Sequence, residues 1–455
     1  MTADATYWQE RLDELAAASQ VPGASLAILH DGELTAVATG VVNQETAVGT
    51  TPGTLFQIGS ITKVWTSVLV MQLTEQGRLD LDAPLAQVLP ELVLAQPGAT
   101  GQITVRHLLN HSSGIDGDMF DDTGRGDDAV GRYVARCRRL ALLHPAGATM
   151  SYCNSGFVIA GRIIETISGA TWDDVLRRDL IEPLGLTSTV SLPEDALRFR
   201  AAYGHVGADG SQRLAPGLLP TRGAGPAGGI MATASDVIAF ARLHLDRGRS
   251  GDGRQVLSEA SVTAMGQPEV PLPPGDPAGG RHKGLGWSLY SWDSRQVLGH
   301  DGGTLGQYAF LRLLPDERGA VCLLTNGGQA QRLYRDLFTD IFRELWAVTI
   351  PGPLQPAPHA QPVDPARYAG RYERESMRIE VGADGAGLSM TTTDTSPFAA
   401  ALADPVERLA LTPVREDLFV TRASAAALWQ PVVFYQLPGG NSYVHAGGRA
   451  TPRRP

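Results

Sequence analysis

Along the first 347 residues, some segments have the apolar spacing of helices and others have the apolar spacing of β-strands. An Asp-Gly pair at 31–32 stands between apolar runs at 24–29 and 34–39, which is typical of a hairpin. Strands return near residue 285, so a sheet built from both ends of this region and faced with helices fits the order. The pattern predicts helices at 7–18, 60–77, 105–114, 129–142, 157–168, 172–185, 236–246 and 329–347, and later strands at 285–290, 296–299, 307–314 and 320–324.

A second unit is predicted towards the C-terminus. Six prolines between residues 351 and 365 are typical of an interdomain linker. Beyond it, residues 377–381 alternate, and further strands are predicted at 388–393, 417–421, 432–437 and 443–445. Together these strands predict a small β-barrel or sandwich. We expect the tail from Arg449 to Pro455 to be disordered. The chain is thus predicted to divide into a domain at 1–350, a linker at 351–365 and a β domain at 366–455.

Candidate chemistry stands where the pattern changes from strand to helix. The apolar run 55–58 ends at Gly59, helical spacing starts at Ser60, and Lys63 lies one turn further along the same side. Only two of the 38 basic residues are lysines, Lys63 and Lys283. Arginine keeps its proton in proteins, whereas a desolvated lysine can lose it and then accept the proton of a hydroxyl. A lone Ser-x-x-Lys is more often a helix cap followed by a surface lysine, so the pair needs support from elsewhere in the chain.

The segment 151–154 adds two polar side chains. Tyr152 and Asn154 are two apart in an extended stretch, so they should point together while Cys153 points away. A tyrosine beside a lysine can share the work of a base, and an asparagine offers a donor and an acceptor to an amide or ester.

The glycine-rich segment 299–304 adds a backbone surface. His300 is expected to face the same way as Gly302, and the glycines let a substrate approach the chain closely. The N–H of Gly303 and that of Ser60 are candidates for an oxyanion hole. The alternative is a glycine-rich hairpin with an incidental histidine.

The three motifs together resemble the serine β-lactamase and penicillin-binding-protein superfamily. Within it, residues 10–347 are similar to the class C-like branch of esterases, D-amino-acid peptidases and acyltransferases. Further landmarks are Leu-Leu-Asn-His-Ser-Ser-Gly at 108–114, Pro-Leu-Gly-Leu at 183–186 and Gly-Gly-Ile at 228–230. The resemblance implies an α/β (α+β) fold, with a β-lactamase/transpeptidase-like antiparallel sheet flanked by helices and a helical subdomain. It also implies a small lipocalin-like C-terminal β-barrel whose tips shape the pocket.

The resemblance also implies roles for the candidate residues. Ser60 would be acylated, Lys63 and Tyr152 would share the general-base and general-acid roles, and Asn154 would bind the substrate amide and hold Lys63. His300 stands where class C β-lactamases carry a lysine. That departure weakens the cationic group that binds a substrate carboxylate, and it disfavours efficient β-lactam hydrolysis.

Three functions fit these residues. The first is a serine hydrolase that cleaves esters, small amides or peptides containing D-amino acids through an acyl-enzyme on Ser60. The second is an acyltransferase or a peptide-cyclising thioesterase. The third is a non-catalytic ligand-binding or sensor protein on the same scaffold, which is disfavoured because binding alone requires no lysine–serine pair.

Composition narrows the partners. A net charge of −10 and a pI near 5.5 disfavour nucleic acid and anionic membranes, which leaves a small-molecule or peptide acyl substrate. No cofactor is expected, and no metal either, because His107 and His111 lack the acidic partner of a zinc motif. The N-terminus has no signal-peptide pattern, so we expect a cytoplasmic protein; its oligomeric state is left open.

The aspartate-rich segment 116–128 is predicted to be a solvated, mobile loop at the rim of a pocket. Asp116 and Asp118 match the first positions of a calcium loop, but Phe120 fails the third.

Overall fold

A nine-stranded antiparallel sheet forms the centre of the N-terminal part of the computed structural model, which describes residues 4–207, 211–217, 220–274, 279–358, 363–385, 387–396, 399, 405–424 and 427–455. Its order is β3-β2-β1-β14-β13-β12-β11-β10-β9. The described strands before residue 351 are β1 (Gly23–His30), β2 (Glu33–Asn43), β3 (Val48–Gly49), β4 (Phe56–Gln57), β5 (Thr189–Val190), β6 (His205–Val206), β7 (Arg213–Leu214), β8 (Met231–Ala232), β9 (Val270–Pro271), β10 (Gly280–Lys283), β11 (Ser288–Trp292), β12 (Arg295–Gly303), β13 (Tyr308–Leu314) and β14 (Gly319–Thr325).

Helices cover both faces of this sheet. The described α-helices are α1 (Ala5–Ala18), α2 (Thr62–Glu75), α3 (Leu85–Val88), α4 (Val105–Leu109), α5 (Ala129–Arg136), α6 (Asn154–Ser168), α7 (Trp172–Leu176), α8 (Gly225–Gly228), α9 (Ala234–Leu245), α10 (Glu259–Met265) and α11 (Ala330–Trp346). Among these residues, no helix combines the length and the apolar character needed to cross a bilayer.

Alternation along β1 shows why the sheet is covered twice. Leu26 and Ile28 join a core with α1 and α11, whereas Ala27 and Leu29 join the larger core that contains α2, α6 and α9. Both faces of the strand are therefore apolar, and both need a helical layer. β1 pairs with β14, so the predicted assembly from both ends of the region is confirmed.

The C-terminal part is a closed eight-stranded barrel, so the β domain expected there is confirmed and is a barrel rather than a sandwich. Its strands are β15 (Gly370–Arg374), β16 (Met377–Asp384), β17 (Gly387–Asp394), β18 (Val406–Arg415), β19 (Leu418–Thr421), β20 (Gln430–Gln436), β21 (Ser442–Ala446) and β22 (Arg449–Arg454). Buried aromatic side chains pack inside it, among them Tyr368, Tyr372, Phe419 and Phe434.

The expectation of a disordered tail is wrong. Residues Arg449–Arg454 form β22, which pairs with both β21 and β15 and closes the barrel. The strand contains charged residues and a proline, so its own sequence does not predict a β-strand. It forms because β21 and β15 pair with it on both sides and supply its hydrogen bonds. The division of the chain at 351–365 stays a prediction, and residues 359–362 of that segment lie outside the described part.

Two hairpin tips of the barrel contact the N-terminal part. At the β21–β22 tip, the carbonyl of Gly448 accepts from the N–H of Tyr152 at 2.9 Å. At the β15–β16 tip, the N–H of Glu375 donates to the Asp116 carboxylate at 2.6 Å. Tyr443 adds a bond to the carbonyl of Leu143 at 2.9 Å.

Candidate active site

Ser60 lies on a single 3-10 turn at 59–61 that leads directly into α2. Gly59 has φ +51°, and a Cβ at this residue would stand 2.7 Å from the nitrogen of Gly303. Glycine is required here because it adopts that backbone without strain and leaves room for β12. The turn therefore holds Ser60 against the glycine-rich strand.

Lys63 is completely buried behind Ser60. Its Nζ lies 3.0 Å from Ser60 Oγ and donates to the carbonyl of Ala227 at 2.6 Å. Burial lowers the pKa of this lysine well below its ordinary value, and the positive charge of Arg449 lowers it further. A neutral amine beside the hydroxyl can take its proton.

Tyr152 is surrounded by basic groups. Lys63 Nζ is 5.0 Å from the ring centroid, Lys283 Nζ is 5.6 Å and Arg449 Cζ is 4.8 Å, while His111 stacks on the ring at 4.1 Å. Burial raises the Tyr152 pKa, and a side-chain hydrogen bond with Ser60 opposes that rise. The tyrosine is thus a protonated hydroxyl in contact with the serine.

Cys153 points away from Tyr152 and Asn154, as the alternation predicts. Its sulfur accepts from the N–H of Gly156 at the start of α6. Asn154 Nδ2 donates to Asp118 at 2.8 Å. The expected bond between Asn154 and Lys63 is not among the hydrogen bonds of the described residues.

The glycine-rich strand β12 borders Ser60 on the other side. A Cβ at Gly302 would stand 1.9 Å from the carbonyl oxygen of Ile58, so this position too admits only glycine. His300 is buried, and its Nδ1 lies 2.7 Å from the carbonyl of Asp301, which can only accept, so Nδ1 carries the proton. Its Nε2 is buried without a partner in the described part of the chain.

His300 is neutral. Burial lowers its pKa well below the ordinary value, and the charge of Lys283 adds to the effect. The imidazole therefore presents an acceptor nitrogen to the site and no positive charge.

The aspartate-rich segment differs from its prediction. Asp118 is 4% exposed, so this part of the segment is buried rather than solvated. Its carboxylate binds Arg449 through Nε at 3.0 Å and Nη2 at 3.2 Å, and Arg374 at 2.6 Å. Both arginines come from the barrel, and Ser376 binds the Asp118 carbonyl. Partners from a distant part of the chain, absent from the local pattern, remove the aspartate from solvent.

Six of the seven candidate residues line one cavity of about 760 Å³; Lys63 lies behind it. The volume suits an organic ligand. The six are Ser60, Tyr152, Asn154, His300, Gly302 and Gly303.

The cavity wall also contains residues that the sequence reasoning did not select. Lys283 stands out in the sequence only as the second lysine of the chain, and Arg449 belongs to the tail that the sequence predicts to be disordered. The barrel contributes further wall residues, among them Gln430, Val433 and His445, which supports the prediction that the barrel shapes the pocket.

The two histidines that lie four residues apart on the 105–111 segment take local roles. His107 bonds the backbone N–H of Thr104 at the start of α4, and His111 accepts from the N–H of Cys153. In the described residues, no group of three or more potential metal ligands is found.

Comparison with known proteins identifies the family. The beta-lactamase family model matches residues 8–345. Penicillin-binding protein 4 from Amycolatopsis lactamdurans is 44% identical over 378 residues, which cover 82% of this chain and 99% of that protein.

Two solved structures show how far the fold is shared. The structure of SurE covers 99% of both chains at 30% identity with a TM-score of 0.80, and SurE was also solved with D-Leu. The D-amino acid amidase from Ochrobactrum anthropi SV3 covers 74% of this chain and 98% of its own at 24% identity, with a TM-score of 0.61, and shares the fold alone. The chain therefore belongs to the beta-lactamase family of serine hydrolases, with a closed eight-stranded barrel after the family domain.

Proposed function

We propose that the protein cleaves amide or ester bonds of small D-amino-acid-containing substrates through an acyl-enzyme on Ser60. The observation that carries this proposal is the contact of Ser60 Oγ with Lys63 Nζ at 3.0 Å, because Lys63 is fully buried and has a pKa well below its ordinary value. A lysine in that state is a base and not a cation.

The first chemical step follows from these contacts. Ser60 Oγ attacks the substrate carbonyl while its proton passes to Lys63, directly or through Tyr152. The oxyanion forms next to the N–H groups of Ser60 and Gly303, and removing one such donor typically costs about 10²–10³ in rate. The C–N or C–O bond then breaks, and the leaving atom takes up the proton.

The second step, in which water or an amine attacks the acyl-enzyme, needs a group that activates this nucleophile. His300 Nε2 is a buried acceptor without a partner in the described residues, and it lines the same cavity as Ser60. It is placed to accept a hydrogen bond from the incoming water or amine. The acid is released when water resolves the acyl-enzyme.

The preference for D-configured substrates rests on similarity to SurE, which was solved with D-Leu. Asn154 supports recognition of an amide next to the scissile bond. Its Nδ2 donates to the Asp118 carboxylate, which accepts hydrogen bonds and does not donate them when ionised. This bond holds the side-chain amide of Asn154 in one orientation.

Acyl transfer to an amine is the second candidate. The cavity of about 760 Å³ extends between the beta-lactamase-like part and the barrel, with wall residues from both. That space accommodates an acyl group together with a second substrate.

Intact-mass spectrometry tests the acyl-enzyme. Wild type treated with a serine-reactive fluorophosphonate should gain one adduct, and Ser60→Ala should gain none. Ser67→Ala is the matched control, since Ser67 is a buried serine two turns further along α2, and it should label like wild type. Unlabelled wild type with an intact fold would contradict the proposal.

Product analysis separates the two reactions. Enantiomeric D- and L-phenylalanine esters are offered with and without an amine acceptor. Free acid alone, formed faster from the D ester, supports the hydrolase, and a ligated product supports the transferase. Faster turnover of the L ester would contradict the stereochemical part of the proposal.

A further inference from the structure

The two donors of the proposed oxyanion hole come from separate parts of the chain. The N–H of Ser60 follows β4, whereas the N–H of Gly303 stands at the end of β12. β4 belongs to a three-stranded sheet with β8 and β5, and β12 belongs to the nine-stranded sheet. Strand pairing in the described part of the chain therefore does not join the two donors, and other contacts have to fix their separation.

Close packing brings the two segments together. A Cβ at Gly59 would stand 2.7 Å from the nitrogen of Gly303, and a Cβ at Gly302 would stand 3.1 Å from the nitrogen of Ser60. Such contacts limit how near the backbones come, but van der Waals attraction has no preferred direction and allows the segments to slide. Hydrogen bonds are directional, so they can supply the missing restraint.

Two buried glutamines supply directional contacts between the segments. The N–H of Gln57 donates to Gln307 Oε1 at 3.0 Å, and Gln307 Nε2 donates to Gln57 Oε1 at 3.4 Å. Gln307 Nε2 also donates to the carbonyl of Ala202 at 3.2 Å. A backbone N–H only donates and a carbonyl only accepts, so these partners allow one orientation of the Gln307 amide.

Thr304 completes the network beside Gly303. Its hydroxyl donates to Gln57 Oε1 at 2.9 Å, and its N–H donates to the carbonyl of Gln307 at 2.9 Å. Thr304 directly follows Gly303, and Gln57 lies three residues before Ser60. The network therefore connects the two short segments that carry the oxyanion donors.

The chemistry of these side chains suits a role in positioning. A buried amide costs free energy unless its hydrogen bonds are re-formed, whereas a fully bonded buried network restricts a site to one geometry. Oxyanion donors need that restraint, since each has to lie about 2.7–3.1 Å from the developing charge. Thr304 lines the cavity, but Gln57 and Gln307 are not among its wall residues in the described part of the chain.

We propose that Gln57, Thr304 and Gln307 form a positioning network that fixes the N–H of Gly303 relative to the N–H of Ser60. Both donors then point at one oxygen, the oxyanion that forms when Ser60 attacks the carbonyl. This inference rests on the proposed acyl-enzyme and adds the residues that hold its oxyanion hole in shape. The three side chains transfer no proton in the reaction.

Gln307→Met tests the network, because it removes the amide and keeps a side chain of similar size. The first probe is the boronic acid analogue of N-acetylphenylalanine, in the configuration that the ester assay prefers. Its boron binds Ser60 Oγ and becomes a tetrahedral anion in the oxyanion hole. The second probe is the corresponding N-acetylphenylalaninol, which forms no such anion.

The two probes should respond differently to Gln307→Met. The Ki of the boronic acid should rise by about 10- to 100-fold, the loss expected when a donor moves by about 1 Å. The Ki of the alcohol and the KM of the ester should change by about threefold or less, while kcat falls with the boronic acid affinity. An unchanged boronic acid Ki in a folded variant would overturn the inference. So would an equal loss of affinity for both probes, since that result indicates general damage to the cavity.

Thr189→Val is a control for lost stability. Thr189 is buried, its hydroxyl donates to the Asp236 carboxylate at 2.9 Å, and it is not a wall residue of the described cavity. The variant should melt at a lower temperature but should keep the ratio of the two Ki values. A ratio that changes as much as in Gln307→Met would show that the ratio follows stability, and it would contradict the network.

Thr304 provides a second test should Gln307→Met fail to fold. Thr304→Val removes the hydroxyl and should raise the boronic acid Ki by about 3- to 10-fold, whereas Thr304→Ser keeps the hydroxyl and should restore the affinity. A double variant with Gln57→Met separates positioning from direct contact with the ligand, because effects that pass through Gln57 do not add. Additive effects, or equal effects of valine and serine, would contradict the network.

Failure of the proposed function has a different signature. Wild type that the fluorophosphonate does not label would refute the acyl-enzyme on Ser60. Labelled wild type together with an unchanged boronic acid Ki in Gln307→Met would refute only the positioning network.

Discussion

Replacing Arg449 by methionine tests whether a residue of the barrel lowers the pKa of Lys63, the proposed base. Arg449 Cζ and Lys63 Nζ lie 4.8 and 5.0 Å from the centroid of the Tyr152 ring, so the two groups are at most about 10 Å apart. At an effective dielectric constant of about 20, this largest possible separation corresponds to an interaction of at least about 1.7 kcal/mol, or roughly one pKa unit. The variant should raise the pKa of Lys63 by about that amount.

The sign follows from the direction of the interaction. The positive charge of Arg449 lowers the Lys63 pKa, so its loss leaves more of the lysine protonated at any given pH. If the neutral amine is the active form, the acidic limb of the kcat/KM profile moves to higher pH by about one unit. The assay is ester hydrolysis followed from about pH 4 to 9 in wild type and Arg449→Met.

Arg374→Met is the matched control. Arg374 binds the same Asp118 carboxylate at 2.6 Å, so both variants should lose roughly 3 kcal/mol of stability from a buried ion pair. Arg449 also stacks on Tyr152. Only Arg449→Met should therefore move the acidic limb of the kcat/KM profile by about one pH unit. An unmoved limb in a folded Arg449→Met protein, or equal shifts in the two variants, would refute the reasoning.

Two further predictions concern the backbone at the site and the interface with the barrel. Gly302→Ala should lower kcat by at least about 100-fold and reduce stability, because its Cβ would stand 1.9 Å from the carbonyl oxygen of Ile58. Gly303→Ala is the control: its Cβ would stand 3.8 Å from Tyr308, so this variant should fold like wild type in a thermal melt. An equal loss of stability in both variants would contradict the steric argument. Burial raises the pKa of Asp116 to about 7, so the folded protein binds its proton more tightly than the unfolded chain does, and the stability this provides is complete below about pH 4 and lost as the pH rises to 7. Relative to Asp116→Asn, wild type should therefore lose up to about 4 kcal/mol between urea unfolding at pH 4 and at pH 7.5, and a pH-independent difference would contradict the assignment.

Sequence reasoning worked where the signal is local. The spacing of Ser60 and Lys63 is set by one turn of chain, and the alternation at 152–154 by an extended backbone, so their relative directions can be deduced from adjacent residues. The order of strands and helices also predicts an antiparallel sheet assembled from both ends of the region, and the antiparallel pairing of β1 with β14 agrees with it.

Reasoning from the sequence failed where a residue takes its role from a distant partner. Asp118 lies in a segment whose composition is typical of a solvated loop. Two arginines more than 250 positions away bind its carboxylate and remove it from water. Arg449 lies in a polar, proline-containing tail that becomes a strand only because β21 and β15 pair with it. No periodicity within either segment carries that information.

The sequence by itself determined the family, the Ser-x-x-Lys turn and the rarity of lysine, because each depends on residue identity and short-range geometry. Only the tertiary structure decided that both lysines meet at Tyr152, that His300 is neutral, and that the barrel supplies Arg449 and Arg374 to Asp118. The physical reason is that protonation and charge pairing depend on burial and on groups within a few ångströms, and chain folding brings those groups together from strands far apart in sequence.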